Sequence, residues 1–215
     1  GVPGLFMLTG ILTVISIGVV AWMTPDSEVS KLHEDTQAQP SRMGEVLRDR
    51  QLLNLDFGIF ALHAAQMALF TALPFAMTQL GLEKIQHWKV YLPSTIAGLV
   101  IMIPLIIIGE TRNKLKQVFI LGIACIAAAQ IGLLFGMHSI WLITAYLVVY
   151  FIGFNVLEAS LPSMVSKIAP SDLKGTAMGV YNTMQSVGLF VGGASGGWLF
   201  QQYGFAGVFT FCSVL

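Results

Sequence analysis

The sequence predicts an all-α polytopic membrane protein, and three observations lead to this fold class. Hydrophobic residues make up 55% of the 215-residue chain and charged residues only 10%, against about a quarter in a typical soluble domain. The charges are clumped, and between them lie apolar runs of about 20 residues, the length that crosses a bilayer as a helix. These runs are continuous rather than alternating, which argues against membrane-spanning strands.

Each predicted span is bounded by polar or charged residues that interrupt the apolar pattern. A polar stretch that begins at Thr24 ends the first span, and basic loops at 112–116 and 167–174 separate the third span from the fourth and the fifth from the sixth. The predicted spans are 2–23, 52–80, 89–109, 115–137, 140–165 and 176–200, with a seventh that begins near 205 and is truncated at 215. We therefore expect about seven spans, the last one incomplete.

The distribution of basic residues predicts which loops are cytoplasmic. Nine of the 11 Lys and Arg residues lie in segment 24–51 and in the loops at 112–116 and 167–174. Only Lys84 and Lys89 lie in or beside the loop after the second span. Because cytoplasmic loops are enriched in Lys and Arg, segment 24–51 is predicted to be cytoplasmic.

Segment 24–51 divides into two parts. Up to Pro40 it is polar, acidic and without periodicity, as in a mobile linker. After Pro40, the side chains of Met43, Val46 and Leu47 share one helical stripe. This pattern predicts a short amphipathic helix on the membrane surface or, equally well, an N-terminal extension of the second span.

Several function classes find no support in the composition. The net charge is zero, so no basic surface for nucleic acid is expected. Cys125 and Cys212 lie within apolar runs, as small hydrophobic residues do. The sequence contains neither a metal-spaced His pair nor a Gly-x-Ser-x-Gly nucleophile loop. We therefore expect no enzyme, no catalytic residue, no metal and no cofactor.

Three stretches beside predicted helix ends carry distinctive motifs. They are GETRNK at 109–114, PSDLKGTAMG at 170–179 and GGWLFQQYGF at 196–205. With one long linker followed by six helices on short loops, they resemble the second half of a major facilitator superfamily transporter. In the first motif, which looks like a degenerate copy of the family's acidic–basic loop, Glu110 stands at the acid position, Asn113 at the glycine position and Lys114 at the basic position, whereas Thr111 replaces an arginine.

Three further stretches are similar to a bacterial branch of that superfamily assigned to drug:proton antiporters. They are HWKVYL at 87–92, KQVF at 116–119 and KGTAMGVY at 174–181. The resemblance implies the carboxy-terminal part of a 12-helix facilitator fold. Residues 1–23 would be the last helix of the N-terminal bundle, 24–51 a cytoplasmic linker, and 52–215 an incomplete six-helix C-terminal bundle.

The same resemblance implies a function. It implies proton-coupled efflux of a small amphipathic or drug-like molecule by alternating access, in the bacterial inner membrane. The expected partners are the lipid bilayer, the transported molecule, protons and the N-terminal bundle of the same protein. A seven-helix receptor is the alternative, but it leaves the loop motifs unexplained.

Ionisable groups deep in the membrane are the first candidates for a functional site, because their insertion is costly. At a rise of 1.5 Å per residue, Glu158 lies about 12 Å and His63 about 18 Å from the cytoplasmic ends of their spans. In the family-like interpretation Glu158 exchanges a proton against substrate, with Asn155 on the same helix face; a structural carboxylate is the alternative. His63 fits a proton relay or a buried neutral histidine equally well.

Other polar side chains are secondary candidates. Gln66 could contact the same cavity face as His63, whereas Asp56, about 7 Å deep, is expected to be an interfacial acid that reaches water. Tyr181, Asn182 and Gln185 overlap Glu158 in depth, and we expect them to tie helices together or to bind substrate.

Two further groups of residues are predicted to act in packing and gating. The spacings Gly188/Gly192/Gly196 and Gly193/Gly197 predict a close helix crossing, interpreted as the place where the two halves slide. The loop of Glu110, Arg112, Asn113 and Lys114 is predicted to be a latch between helix ends, or else ordinary interfacial charge. Asn113 is expected to adopt a positive φ in this turn.

Overall fold

The computed structural model describes residues 2–23 and 38–215, and within these ranges the chain is helical with no strand. The helices are α1 (Val2–Met23), α2 (Met43–Val46), α3 (Arg50–Gln79), α4 (Trp88–Thr111), α5 (Leu115–Gly136), α6 (Ile140–Ile168) and α7 (Lys174–Val214). Five of them, α1 and α3 to α6, are long and apolar enough to cross a membrane. The predicted all-α polytopic class is confirmed.

The chain divides into two compact units, of which the first contains α1 and the second contains α2 to α7. Helix α1 has the predicted bounds. The hydroxyl groups of Thr9, Thr13 and Ser16 donate to carbonyl oxygens of the preceding turn, which satisfies these polar groups within an apolar helix. The predicted mobile linker falls mostly on residues 24–37, which lie outside the described residues.

The end of the predicted linker forms a short helix that is separate from the second span. A 3-10 turn, Pro40–Arg42, leads into α2. Asp49 then caps α3, because its carboxylate accepts hydrogen bonds from the backbone N–H groups of Gln51 and Leu52. Of the predicted apolar stripe, Val46 is buried, whereas Met43 and Leu47 remain exposed. Residues 38–51 belong to the second unit, so that unit begins before the predicted boundary at residue 52.

Segment 38–46 is bound to the loop between α6 and α7 and to the first turn of α7. The backbone N–H of Gln39 donates to the Thr176 hydroxyl at 2.8 Å, and its side-chain amide donates to the carbonyl oxygen of Asp172. The Arg42 guanidinium donates to the carboxylates of both Glu45 and Asp172. These hydrogen bonds lower the pKa of the Glu45 and Asp172 carboxyl groups below their usual range.

A glycine ridge on α7 packs directly against the backbone of α3. A Cβ atom added to Gly188 would lie 2.5 Å from the Phe60 carbonyl oxygen. A Cβ atom added to Gly192 would lie 2.2 Å from the Ala64 carbonyl oxygen. One added to Gly196 would lie 2.6 Å from the Ala68 Cα atom. These three glycines therefore form the close crossing of α7 with α3.

The crossing joins two helices of one compact unit, and the sliding of two halves along the ridge stays a prediction. A Cβ on Gly193 would meet only the Met67 methyl group at 4.0 Å, and one on Gly197 would meet nothing within 4 Å. Gly193 and Gly197 point away from α3, because a ridge with a spacing of four residues occupies one face of the helix only.

The chain reverses at Gly204 within the range of α7. Gly204 has φ 63° and ψ −151°, a conformation that favours glycine. Gly196 contacts Ala68 of α3, and the Cys212 thiol, 16 residues further along the chain, again reaches α3 at the Ala65 carbonyl oxygen. The last segment therefore returns along α3, and the predicted break between the sixth and seventh spans is confirmed.

The docked segment 38–46 leads to a first prediction. Because the pKa values of Glu45 and Asp172 are lowered, their bonds to Arg42 stabilise the docked segment at pH values above the usual carboxyl pKa of about 4. This contribution is lost as the pH falls through the lowered pKa values. We expect Arg42→Gln to accelerate hydrogen exchange of the peptide containing Gln39 at pH 7, measured by mass spectrometry. Arg48→Gln, at an exposed arginine that forms no ion pair with any described residue, is the matched control. Equal protection in wild type and Arg42→Gln would contradict the prediction.

The glycine ridge leads to a second prediction. Gly192→Ala forces a methyl group against the Ala64 carbonyl and should cost about 1–3 kcal/mol, as overpacking does. Gly197→Ala has free space and should be neutral or stabilising, since alanine favours helix by about 0.5–1 kcal/mol over glycine. Thermal unfolding in detergent micelles measures both variants. The interpretation of the ridge is wrong if they unfold at the same temperature.

Candidate functional site

Three helices bring one charged and two polar side chains together in the second unit. Glu158 comes from α6, His63 from α3 and Gln185 from α7. The Gln185 side-chain nitrogen lies 2.9 Å from His63 Nε2 and 3.5 Å from Glu158 Oε1. Glu158 Oε2 lies 3.7 Å from His63 Nε2. All three residues were predicted candidates, and the structure joins them in one network.

His63 is held by its own helix and by α6. Its side chain is 6% exposed, and Nδ1 lies 3.2 Å from the Ile59 carbonyl oxygen one turn earlier. The Phe154 ring of α6 meets the imidazole edge to face, with ring centroids 5.8 Å apart. The ring can therefore offer only Nε2 to the other polar side chains.

These contacts determine the tautomer of the neutral ring. A carbonyl oxygen only accepts hydrogen bonds, so Nδ1 must carry the proton toward Ile59. Nε2 then has a lone pair and accepts a hydrogen bond from the Gln185 amide. This arrangement leaves Nε2, on the side of Glu158, as the position where a further proton can bind.

Glu158 combines access with an unsatisfied oxygen. Its side chain is 40% exposed, whereas Oε2 itself is buried and has no hydrogen-bond partner among the described residues. Pro162, four residues on within α6, has no backbone N–H, so it donates no bond to the Glu158 carbonyl. Glu158 thus faces a titratable histidine rather than a permanent cation.

Two further predicted residues contribute buried polar atoms. Asn155, one turn before Glu158, has a buried side-chain nitrogen, and Tyr181 of α7 has a buried hydroxyl group. Neither atom has a hydrogen-bond partner in the part of the chain that is described. Tyr181 belongs to the same cluster of buried side chains as Leu55 and Ile59 of α3 and Leu157 of α6.

Asp56 corrects one prediction. It was expected to reach water near the start of its span, but only 2% of it is exposed and its Oδ2 atom is buried without a partner. The first turns of α3 are covered by apolar residues of α2 and of the start of α7, among them Val46 and Ala177. The hydropathy of α3 alone gives no sign of this cover.

Two other predicted residues lie outside the network. Gln66 is half-buried and its side chain forms no hydrogen bond with any described residue. Asn182 is exposed; its backbone carbonyl oxygen accepts from the Ser186 hydroxyl, and its side chain forms no hydrogen bond with any described residue. Gln185, three residues on, turns toward α3 and α6.

The predicted gating loop has the expected backbone but no ion pair. Asn113 has φ 53°, and the backbone N–H groups of Asn113 and Lys114 donate to the carbonyl oxygens of Glu110 and Gly109, which is a Schellman turn. Glu110, Arg112 and Lys114 are exposed and form no ion pair within residues 2–23 and 38–215. The latch between helix ends therefore stays a prediction.

Two features were missed by sequence reasoning. Gln130 of α5 is fully buried, and neither its oxygen nor its nitrogen has a partner among the described residues; an amide within an apolar span was the available signal. The link between Arg42 and Asp172 joins residues 130 positions apart, and no local pattern announces it.

The fold, the loop motifs and the intramembrane polar network are those of a polytopic membrane protein built like a facilitator-type transporter. The Major Facilitator Superfamily matches residues 1–193 and, in an overlapping match, residues 115–215. The chain belongs to this superfamily. This membership explains the loop motifs that a seven-helix receptor leaves unexplained.

Several curated proteins are similar to the chain. The inner membrane transport protein YajR of Escherichia coli K12 is 36% identical over 97% of this chain and 46% of its own length. An uncharacterized transporter of Buchnera aphidicola is 26% identical over 89% of the chain and 50% of its own length. The multidrug resistance protein MdtH of Cronobacter sakazakii is 25% identical over 89% of the chain and 46% of its own length. The chain spans about half the length of these relatives.

The site geometry leads to a third prediction. Neutral His63 should carry its proton on Nδ1 only, because Nε2 accepts from Gln185. Nitrogen-15 NMR of histidine-labelled protein in lipid nanodiscs measures the tautomer, with His63 assigned by comparison with His63→Gln. Exposed His138 is the internal control and should show a mixture of tautomers. A proton on Nε2 of neutral His63 would contradict the network.

Proposed function

We propose that this chain is part of a proton-coupled transporter in which Glu158 binds and releases the coupling proton. The observation that carries the proposal is the position of Glu158, which has a half-exposed side chain, an unpartnered oxygen, and His63 at 3.7 Å. A carboxylate in a membrane span is costly and usually functional. His63 beside it is a titratable residue, which allows the charge of Glu158 to change with the supply of protons.

The proposed cycle uses the charge of Glu158 as its switch. Ionised Glu158 attracts a cationic transported molecule, and protonated Glu158 does not. Exchange between the two ligands at one site links proton entry to release of the molecule. Because the backbones of α3 and α7 are in contact at Gly188 and Gly192, we expect these two helices to move as one body during alternating access.

The proposed transported molecule is a small amphipathic or drug-like cation. An acid is its natural counter-charge, and an aromatic ring next to His63 extends the site with an apolar surface. This ring belongs to Phe154, which is partly exposed and lies 5.8 Å from the imidazole between ring centroids. A relative named a multidrug resistance protein supports this class. We propose efflux from the cytoplasm across the bacterial inner membrane, because the relative YajR is named an inner membrane transport protein. The N-terminal bundle implied by the family resemblance would complete the transport pathway.

A flux assay tests the proposal. In proteoliposomes of the intact transporter with an imposed pH gradient, Glu158→Gln should abolish proton-driven transport of the fluorescent cation ethidium, because the amide cannot exchange a proton. Glu83→Gln, at an exposed residue before the 3-10 turn Lys84–Gln86, is the control and should transport normally. Unchanged flux and unchanged pH dependence in Glu158→Gln would eliminate the assignment.

A further inference from the structure

The amide of Gln185 lies between the two groups that the proposed function uses. Its nitrogen carries two hydrogens, one toward the lone pair of His63 Nε2 at 2.9 Å and one toward Glu158 Oε1 at 3.5 Å. A glutamine side chain offers donors at one terminal atom and an acceptor at the other. In the orientation observed, the Gln185 nitrogen donates toward both His63 and Glu158.

This orientation fits only a neutral imidazole. When a proton binds Nε2, the ring becomes a donor at the position where the Gln185 amide already donates. Two facing donors repel, and a buried donor without an acceptor is costly. Rotation about the terminal Cγ–Cδ bond would bring the Gln185 oxygen to Nε2 and turn its nitrogen away from Glu158. Charged His63 and Glu158, at 3.7 Å, would then form an ion pair.

The helix that carries Gln185 cannot easily move away instead. Gly188, one turn later, packs against Phe60 of α3 so closely that an added Cβ would lie 2.5 Å from a carbonyl oxygen. His63 is on the same helix as Phe60. The distance between the backbones at Gln185 and His63 is therefore set by the crossing, and a change in hydrogen bonding must be taken up by the amide.

Of the titratable groups around His63, Glu158 is the one that can pair with the protonated ring. Tyr181 of α7 and Tyr150 of α6 are buried phenols, and Asp56 lies two turns earlier on α3. Helices α4 and α5 carry charges only near their ends, at Lys89, Glu110 and Lys116. Glu158 is the acid that pairs with His63 in the described part of the chain.

We infer that Gln185 is a positioning residue whose amide rotates when His63 binds a proton, and so transmits the protonation of His63 to Glu158. This inference rests on the proposed function only for its role in transport. The rotation itself follows from the three-residue geometry. It requires a side chain that can both donate and accept, a requirement that methionine and an ionised glutamate do not meet.

Spectroscopy of the wild-type transporter tests the rotation directly. In lipid nanodiscs, the side-chain amide signals of Gln185, assigned by their disappearance in Gln185→Met, should change with pH at the same midpoint as the ring signals of His63. In His63→Gln that change should disappear. The amide of exposed Gln201 is the control and should not follow His63. Gln185 signals that stay constant while His63 titrates would overturn the inference.

A flux measurement tests its role in transport. Gln185→Met and Gln185→Glu should each lower proton-driven ethidium flux on the order of tenfold, the effect of losing one hydrogen bond to a charged group. If Glu158→Gln transports normally while the Gln185 amide still follows His63, the proton-coupling proposal fails and the rotation stands. If Glu158→Gln is inactive but both Gln185 variants keep the wild-type flux and pH profile, the inference fails alone.

Discussion

The backbone contact between α3 and α7 determines where the polar side chains of this bundle meet. Gly188, Gly192 and Gly196 lack the Cβ atoms that would separate the two helices. In a membrane, where apolar surface gives helices little reason to associate, such close packing is a main source of attraction between them. The contact brings Gln185 to 2.9 Å from His63, although the two residues are 122 positions apart. The hydrogen-bonded network with Glu158 is built on this spacing.

The second constraint is that a polar atom inside an apolar bundle must find its partner within the protein. The hydroxyl groups of α1 solve this locally, by bonding to carbonyls of the same helix. The Glu158–His63–Gln185 network solves it between helices and satisfies most of its members. The buried polar atoms without a partner among the described residues are spread over the bundle, at Glu158 Oε2, Asp56 Oδ2, the Gln130 amide, the Asn155 nitrogen and the hydroxyl groups of Tyr91, Tyr150 and Tyr181.

The junction between segment 38–46 and the α6–α7 loop follows a different logic, because its charged side chains remain in contact with water. Arg42 joins two acids across the junction of α2 with the α6–α7 loop, and the backbone of Gln39 is tied to Thr176. The docked segment covers the first turns of α3, and this cover explains why Asp56 is buried. A linker that docks in this way moves with the second unit.

The sequence by itself determined the helical class, the spans to within a few residues, the reversal near Gly204 and the positive φ of Asn113, because hydropathy and turn chemistry are local properties of the chain. Its loop motifs also led to the superfamily. The tertiary structure alone decided that Gln185 faces His63 and that Asp56 is covered. It also decided that an added Cβ would meet α3 at Gly192 but no described atom within 4 Å at Gly197. The depth of a residue can be counted along its own helix. The face that it turns toward another helix depends on how distant segments pack, and a single apolar run carries no record of that.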